Sequence, residues 1–378
     1  MKEMRKLGEF IEVLNRRNTD MKLGLDSVRG ISNTKLITET SKATVDENVI
    51  SKFYVINPGE FVYNPRTTRM GDKVGLAFNN TDKPLLFTFN NSAFKIKDLM
   101  KDKLLPEYLY LFFCRSEFDR FARINSWGSA TELFLFDDLC TIKFDPPDIK
   151  EQQKIVDTYN AITKRIRIKQ KINENLSLQL STFFEIESQK YTSKNTKEIK
   201  LEEIVESKRM NIKIDDIPHN SIYVGLEHIP RKTLVLDSFG STDEVLSDKL
   251  KASKGDVLFG KIRPYFHKVS VNPYDEVYCS GDALVLNAIN KKQYGFVLLT
   301  LFSTKFVDYA VKLSNGAKMP RAEWKDLKNY VVKLPNGEAL EQINNMVEKS
   351  LTFIFDNLEE ISKLESMKQL IVSQISKR

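Results

Sequence analysis

The sequence predicts an α+β fold in which two similar globular domains are separated by two long antiparallel helices. Two observations carry this prediction: the first half of the chain repeats in the second half, and each copy ends in a long stretch without proline or glycine. The predicted boundaries are a first domain at 1–147, a central helix at 148–190, a second domain at 191–337 and a C-terminal helix at 338–378.

Length and composition describe an ordinary globular chain. Its 378 residues allow two or three domains with their own cores, and 41% hydrophobic residues exclude a wholly disordered chain. No apolar run approaches the ~20 residues of a membrane-spanning helix, and the charged residues 1–6 are unlike a signal peptide. Three separated cysteines fit neither a disulfide framework nor a zinc site. We therefore expect a cytoplasmic protein without a membrane partner, whose net charge of +7 permits a polyanionic one.

The duplication is visible when the two halves are aligned. The matched segments are 6–11 with 200–205, 59–63 with 255–259, 116–122 with 304–310, and 151–152 with 341–342. One period covers half of the chain, whereas a solenoid needs three or more units. We therefore expect an internal duplication with pseudo-twofold symmetry.

Each domain is predicted to begin with short strands. Alternating or β-branched runs place them at 61–63, 73–78, 86–89, 223–226, 257–259 and 283–286. One amphipathic helix follows, at 106–122 in the first domain and at 294–313 in the second. A short turn near Asp138 or Asp326 and a last strand ending at Pro147 or Pro335 complete each domain.

An apolar seam predicts that the two long helices pair with each other. The first helix is expected from 148 to about 187 and the second from 338 to about 376, each with apolar residues at alternating steps of four and three. The seam residues are Ile155, Tyr159, Ile162, Ile166, Leu176, Leu180 and Phe183, then Val347, Leu351, Ile354, Leu358 and Ile361. Lys169 and Asn173 interrupt the first seam, and polar seam residues set register at a cost in stability. We predict a two-helix coiled coil that holds two related surfaces apart, an arrangement that suits two half-sites on double-stranded DNA.

Several segments, in one order along the chain, resemble the specificity subunits of type I restriction–modification systems. They are 59–66, 147–156, 168–176, 223–229 and 255–265, and together they extend the resemblance over nearly the full length. One departure lies at 336–340, before the second long helix, where the first copy has the more typical Pro-Pro-Asp-Ile-Lys at 146–150.

The resemblance implies that each globular domain is a target recognition domain for one half of a bipartite DNA sequence. The helices would set the gap and dock two adenine-N6 methyltransferase (M) subunits, and translocating restriction (R) subunits would complete the complex. This chain would be non-catalytic and hold no cofactor, with S-adenosylmethionine, Mg²⁺ and ATP bound by the partner subunits. Two alternatives stay open: the specificity chain of a related type II system and, in a different class, a self-contained DNA nuclease or methyltransferase.

Signatures of catalysis are weak. The segment 255–262 has Walker A spacing but ends in Ile262, where Ser or Thr would hold Mg²⁺. The segment 272–274 resembles a shortened adenine-binding motif of amino-methyltransferases but is predicted to be a turn. Asp148 is predicted to begin a helix rather than to bind metal. The histidines lack metal-ligand spacing and are expected on the surface: His219, His228 and His267.

Candidate DNA contacts are basic and polar residues in predicted loops, because such side chains bind phosphates and base edges. In the first domain they are Asn33, Lys35, Arg66, Thr68, Arg69 and Lys73; in the second they are Lys261, Arg263, Tyr265, Lys268, Lys318 and Arg321. Basic residues recur at matched places in both copies, which favours Arg66 with Arg69 and Lys261 with Arg263. Trp127 is expected either against DNA or a partner, or in partly buried packing. The basic run 164–171 faces DNA, an acidic partner or solvent.

Overall fold

The structure is a computed structural model, and it describes residues 5–40, 46–67, 73–127, 132–190, 196–316 and 318–375. The chain divides into two compact units, one comprising 1–165 with 364–378 and the other comprising 166–363. Both units mix strands and helices, as the sequence predicts, and the chain ends in a long helix. No helix within the described ranges is long and apolar enough to cross a membrane.

The first unit is built on a four-stranded antiparallel sheet. Its elements are β1 (Ile11–Val13), β2 (Arg29–Ile31), β3 (Ile37–Glu39), β4 (Tyr54–Ile56), β5 (Phe61–Tyr63), β6 (Leu76–Phe78), β7 (Leu85–Phe87), β8 (Ser92–Ile96), α1 (Pro106–Phe113), α2 (Ser116–Ile124), α3 (Phe136–Cys140) and the beginning of α4 (Ile149–Gln189). The strand order of the sheet is β1-β8-β5-β6, while β2–β3 and β4–β7 form smaller ladders. Phe61 and Phe94 stack at 5.0 Å in its core, where both are fully buried.

The second unit contains a sheet with the corresponding order. Its elements after α4 are β9 (Thr196–Lys200), β10 (Val205–Lys208), β11 (Asn211–Ile212), β12 (Ile222–Val224), β13 (Gly240–Ser241), β14 (Lys249–Ser253), β15 (Val257–Gly260), β16 (Val269–Val271), β17 (Glu276–Cys279), β18 (Ala283–Ala288), α5 (Tyr294–Phe302), α6 (Thr304–Leu313), α7 (Trp324–Leu327), β19 (Val331–Pro335) and most of α8 (Gly337–Gln374). Three sheets are formed: β10-β18-β15-β16, β11-β14-β17-β12-β13 and β19-β9.

The two four-stranded sheets also have the same register. β5 pairs with β8 through Phe61 and Phe94, and its aligned counterpart β15 pairs with β18 through Val257 and Leu286. All pairs in both sheets are antiparallel. Segments that align in the sequence therefore adopt the same strand pairing.

The single helix predicted at 106–122 is wrong, and so is its counterpart at 294–313. α1 ends at Phe113 and α2 begins at Ser116, while α5 ends at Phe302 and α6 begins at Thr304. Between α5 and α6, Ser303 has an extended backbone, and its hydroxyl accepts a hydrogen bond from the Phe306 N–H at 3.2 Å. An N-cap residue has non-helical dihedral angles. The apolar pattern continues across the cap and so does not reveal the break.

The closing strand is confirmed in the second unit only. There β19 pairs with β9, but in the first unit Lys143 forms a single β-bridge with Lys6, and no strand is assigned up to Pro147. The turns predicted near Asp138 and Asp326 are the short helices α3 and α7.

The two long helices begin and end within about two residues of the predicted positions. α4 starts after Asp148, whose Oδ1 accepts the N–H groups of Lys150 and Glu151, both at 3.0 Å, which confirms the predicted helix start. Phe184 rather than Phe183 is the fully packed residue near the end of α4, at 7% exposure. This one-residue shift arises because an α-helix with 3.6 residues per turn drifts from a strict seven-residue repeat.

Within the second unit, a polar cluster interrupts the apolar contacts between α4 and α8. The Lys169 ammonium lies 2.7 Å from Asn357 Oδ1 and 2.7 Å from a carboxylate oxygen of Glu360. The Asn357 amide donates to Asn173 Oδ1 at 2.8 Å, and both asparagines are buried. Lys169 therefore faces α8, whereas the sequence left its basic run open to DNA, a partner or solvent. The same contacts show that α4 and α8 run antiparallel in this unit.

Candidate nucleic-acid interface

One inner strand of each four-stranded sheet leads into a segment that carries predicted contact residues. β5 continues into 64–67 and β15 continues into 261–263. In the first unit Arg66 forms an isolated antiparallel β-bridge with Leu133, and Leu133 forms a second one with Trp127. In the second unit Ile262 forms such a bridge with Arg321, and Arg321 forms a second one with Asn315. We call these sets the first row and the second row.

The backbone hydrogen bonds that hold the two rows are the same. Leu133 and Trp127 exchange two N–H···O bonds of 2.9 and 3.1 Å, and Arg321 and Asn315 exchange two of 2.9 and 3.0 Å. On the other side of each row, the flanking residues provide the bonds: Phe134 N–H to Pro65 O, Thr67 N–H to Glu132 O, Ala322 N–H to Lys261 O, and Arg263 N–H to Pro320 O. The rows are therefore equivalent positions, and Arg66 corresponds to Ile262.

The side chains of each row lie on the outer face of its unit. Residues directly opposite each other in an antiparallel pair share a face, and their chain neighbours point to the other face. The neighbours Phe134 and Ala322 are fully buried and Thr67 is nearly so, whereas Trp127 is 71% exposed. Arg321 and Asn315 are also exposed, and the other members of the rows are half-buried. The partly buried packing considered for Trp127 is therefore wrong.

Of the predicted contacts in the second unit, Arg321 is a member of the second row, and Lys261, Arg263 and Lys318 lie beside it. Arg321 Nη2 lies 3.0 Å from Asp282 Oδ1, and the backbone N–H of Lys261 donates to the carbonyl oxygen of the same aspartate at 2.9 Å. Arg263 donates from Nη2 to the Lys318 carbonyl oxygen at 3.5 Å. The result is a cationic surface in which one carboxylate orients one guanidinium.

The other two predicted contacts in the second unit lie apart from this cluster. The Lys268 ammonium donates to the Leu226 carbonyl oxygen, and burial, followed by the charge of Arg231, lowers the pKa of Lys268. Lys268 thus donates one hydrogen bond to its own chain while it is half-buried, and its assignment as a DNA contact stays a prediction. Tyr265 is 52% exposed, with its ring 4.8 Å from that of Phe266.

The structure corrects the assignment of Lys35. Its side chain is 4% exposed, and its ammonium lies 2.7 and 2.8 Å from the two carboxylate oxygens of Asp119. Asp119 Oδ1 also accepts the Val74 N–H at 3.0 Å. Lys35 has a left-handed backbone, with φ of 63° in the turn between β2 and β3. The residue therefore holds this turn onto α2 instead of facing a phosphate, while Asn33 in the same turn is exposed.

The remaining predicted residues of the first unit are divided between the surface and segments outside the described ranges. Thr68 and Arg69 lie outside the described residues. Lys73 is exposed, and Arg66 is half-buried in the first row. No hydrogen bond or ion pair to the Arg66 side chain is found among the described residues.

Several residues near these surfaces were not predicted from the sequence. Arg231 lies with its guanidinium carbon 3.9 Å from the centre of the Phe266 ring, and the Lys232 N–H donates to the His267 carbonyl oxygen at 3.0 Å. Asp282, Asn315 and Leu133 were also missed, because they reach the site through pairing between distant parts of the chain. A basic pair at 231–232 was the one available signal.

The histidines are not all on the surface. His267 is 6% exposed, its Nε2 donates to the Phe302 carbonyl oxygen at 2.7 Å, and burial lowers its pKa. His219 is exposed and lies 2.9 Å from Asp243. The surface expectation is therefore wrong for His267, whose side chain contributes to the core beneath the 263–268 segment.

The segments that resembled catalytic motifs have structural roles. The interior of the Walker-like segment is the buried strand β15. The Asn272 side chain accepts from the Tyr274 N–H at 3.0 Å, as expected of a turn. Among the described residues, no three His, Cys, Asp or Glu side chains lie close enough together to hold a metal ion.

This chain is similar to known proteins in sequence and in fold. Residues 2–178 match the family described as type I restriction modification DNA specificity domain. The type I restriction enzyme EcoDI specificity subunit of Escherichia coli is 25% identical over 162 residues, which are 41% of this chain and only 36% of that protein's length. The S subunit of a type I restriction–modification system from M. genitalium shares the fold, with a TM-score of 0.52 and 13% identity over 99% of this chain and 97% of that one.

Proposed function

We propose that this chain is the DNA-specificity subunit of a type I restriction–modification complex, because its residues 2–178 match the family of type I restriction modification DNA specificity domains. One observation carries the proposal furthest. Two units with the same sheet order expose, at the same position, a row of outward side chains held by the same backbone bonds. Two equivalent recognition surfaces suit a DNA target made of two half-sites.

In this proposal the chain is an internal duplication with pseudo-twofold symmetry. Target recognition domains occupy 1–147 and 191–337, and the long helices at 148–190 and 338–378 form a two-helix coiled coil that sets the gap between the half-sites. The equivalent strand register supports the duplication. The antiparallel contacts of Asn173 and Lys169 with α8 support the coiled coil.

The partners follow from the family. Two adenine-N6 methyltransferase subunits dock on the helices, and translocating restriction subunits complete the nuclease. The specificity subunit recognises DNA and does no chemistry itself, while S-adenosylmethionine, Mg²⁺ and ATP are bound by the other subunits. The family description as a DNA specificity domain supports this division of labour.

Genome-wide mapping of adenine methylation tests the proposal. The host strain is compared with a strain lacking this gene and with the deletion strain carrying an inducible copy. We expect one bipartite motif with a fixed gap to lose methylation on deletion and to regain it on induction. A methylome that stays unchanged under induced expression contradicts the proposal.

A second measurement separates this proposal from a self-contained enzyme. The purified chain is incubated with DNA and either S-adenosylmethionine or Mg²⁺, and methyl transfer and cleavage are measured. We expect neither without the partner subunits. Turnover by the chain alone would place it in the enzyme class.

A further inference from the structure

We propose that the two rows are the base-reading elements of the two units, and that their side chains set which bases each half-site contains. This inference rests on the proposed function and assigns it to particular residues. The first row is Arg66, Leu133 and Trp127, and the second row is Ile262, Arg321 and Asn315.

The two rows share their backbone geometry but differ in their side chains. The six row positions keep the same bridges and the same hydrogen bonds in both units, so the backbone geometry is common. One equivalent pair of neighbours, Phe134 and Ala322, is buried and apolar in both units, whereas Thr67 is buried and its counterpart Arg263 is exposed. The outward side chains, in contrast, differ completely in chemistry. A rigid frame with interchangeable outward groups is suited to reading different base pairs.

The second row has the chemistry of direct readout. Arginine forms paired hydrogen bonds with guanine O6 and N7, and asparagine does so with adenine N6 and N7. Arg321 and Asn315 are exposed neighbours in the row. The ion pair of Arg321 with Asp282 at 3.0 Å engages one guanidinium nitrogen, and an arginine side chain has five N–H donors in a planar fork. Asp282 is therefore a positioning residue that leaves donors of Arg321 available to a base.

The surroundings of the second row suit the phosphate backbone. Lys261, Arg263 and Lys318 lie around it, and cationic side chains fix the register of a protein on DNA without reading its sequence. Row residues and flanking residues thus have different expected effects. Loss of a row residue changes base preference, and loss of a flanking cation weakens binding to every sequence.

The first row is mainly apolar. Trp127 is 71% exposed although its backbone is held by two hydrogen bonds to Leu133. Apolar side chains distinguish thymine through its methyl group, and an aromatic ring also stacks on an exposed base. We therefore expect thymine contact or stacking at Trp127 and guanine recognition at Arg66. The two half-sites differ in sequence because the rows differ.

The first test removes Arg321 from the complete complex of this chain with its methyltransferase subunits. Arg321→Ala is expected to lower discrimination at one base pair of one half-site by about ten- to a hundredfold, the range of one lost bidentate contact. The other half-site and the gap stay unchanged. Methylation of a library randomised in both half-sites, read by sequencing, gives these preferences directly.

Two further variants keep this test decisive. Arg321→Lys retains the charge but lacks the fork, so it should lose base preference while keeping affinity for phosphates. Arg209→Ala removes an exposed arginine that belongs to neither row and should leave the motif unchanged. If Arg321→Ala weakens all sequences equally, or if Arg321→Lys retains the motif, the row does not read bases.

The second test asks what contacts Trp127. The chain has two tryptophans, so 5-fluorotryptophan labelling gives two ¹⁹F signals, and Trp324→Phe identifies them. The labelled full chain is assembled with unlabelled methyltransferase subunits and then mixed with target duplex. We expect the Trp127 signal to move on adding target DNA and less on adding duplex altered in that half-site. A signal that moves on assembly and not with DNA shows a protein-docking surface and overturns the assignment.

The outcomes separate this inference from the proposed function. If the wild-type complex methylates no bipartite motif, the proposed function fails. If it methylates one and the row variants keep the same base preferences, the proposed function stands and the assignment of the rows fails.

Discussion

Asp119 of α2 and Val307 of α6 occupy aligned positions in the two units, yet their surroundings are opposite in character. Asp119 is buried with the Lys35 ammonium at 2.7 Å, and Val307 is buried in an apolar core. The difference extends to the residue two positions before the neighbouring strand, which is Val74 ahead of β6 and His267 ahead of β16. The first unit therefore buries the Lys35–Asp119 ion pair in this part of its core, whereas the second unit buries His267.

In both units the buried ionisable side chain has a hydrogen-bonding partner, but the partner differs. In the first unit the turn between β2 and β3 brings Lys35 to Asp119. In the second unit His267 is held by the Phe302 carbonyl oxygen and is favoured in its neutral form, because burial lowers its pKa. Removing one partner of a buried pair costs much more than removing both.

The largest expected effect follows from separating the buried pair. Asp119→Asn should lower the stability of the first unit by about 3–5 kcal/mol, because the Lys35 ammonium is left without a counter-charge. Protection of the β5 and β8 amides against hydrogen exchange measures the loss. The double variant Lys35→Met, Asp119→Asn should recover most of it, since an amide oxygen still accepts the Val74 N–H. A double variant as unstable as the single one would contradict the pairing.

An intermediate effect is expected where polar residues interrupt the helix contacts. Asn357→Leu leaves Asn173 and Lys169 without a shared partner, and an unsatisfied buried polar group costs about 1–3 kcal/mol. Thermal unfolding should therefore begin at lower temperature. Adding Asn173→Leu should restore stability by apolar packing. Without these polar residues to fix the register, we expect cysteine pairs introduced across α4 and α8 to cross-link in more than one register. One register in the double variant would show that the globular parts alone align the helices.

The smallest effect concerns pH and His267. Burial lowers the pKa of His267 in the folded state, so the unfolded chain binds a proton more readily. The stabilising contribution is present above the unfolded pKa of about 6.5 and is lost as the pH falls through and below it. Urea unfolding of the second unit, followed by Trp324 fluorescence at pH 7.5 and 5.5, should show a lower midpoint at pH 5.5. His267→Gln keeps a donor for Phe302 and should reduce this difference, whereas His219→Gln should not.

Much of the fold could be predicted because its signals are local and repeated. The long helices α4 and α8 show one periodicity over many turns, and the absence of proline and glycine fixes their extent. β5 was predicted at its observed bounds, since three consecutive apolar residues form a buried strand. Shorter signals were less exact: β6 begins three residues after the predicted start.

The candidate site was predicted only in part because its geometry depends on distant pairing. Arg66 and Leu133 meet across a single bridge, and nothing in the residues near either one indicates the other. The burial of Lys35 depends on Asp119 in α2, and a polar turn looks the same whether its lysine faces water or a carboxylate. Predictions from residue type therefore placed basic residues around Arg321 correctly on the surface but did not foresee the burial of Lys35.

The amino-acid sequence by itself determined the two long helices and the buried strand β5, because these depend on periodicity and apolar runs along one stretch of chain. Only the tertiary structure decided which side chains face outward. Alternate residues of a strand point to opposite faces, and the packing of the folded sheet determines which face is buried. The rows, the buried Lys35–Asp119 pair and the polar contacts of Asn357 all belong to this second kind. The interactions that stabilise them join groups that are far apart in the chain and meet only when the units fold.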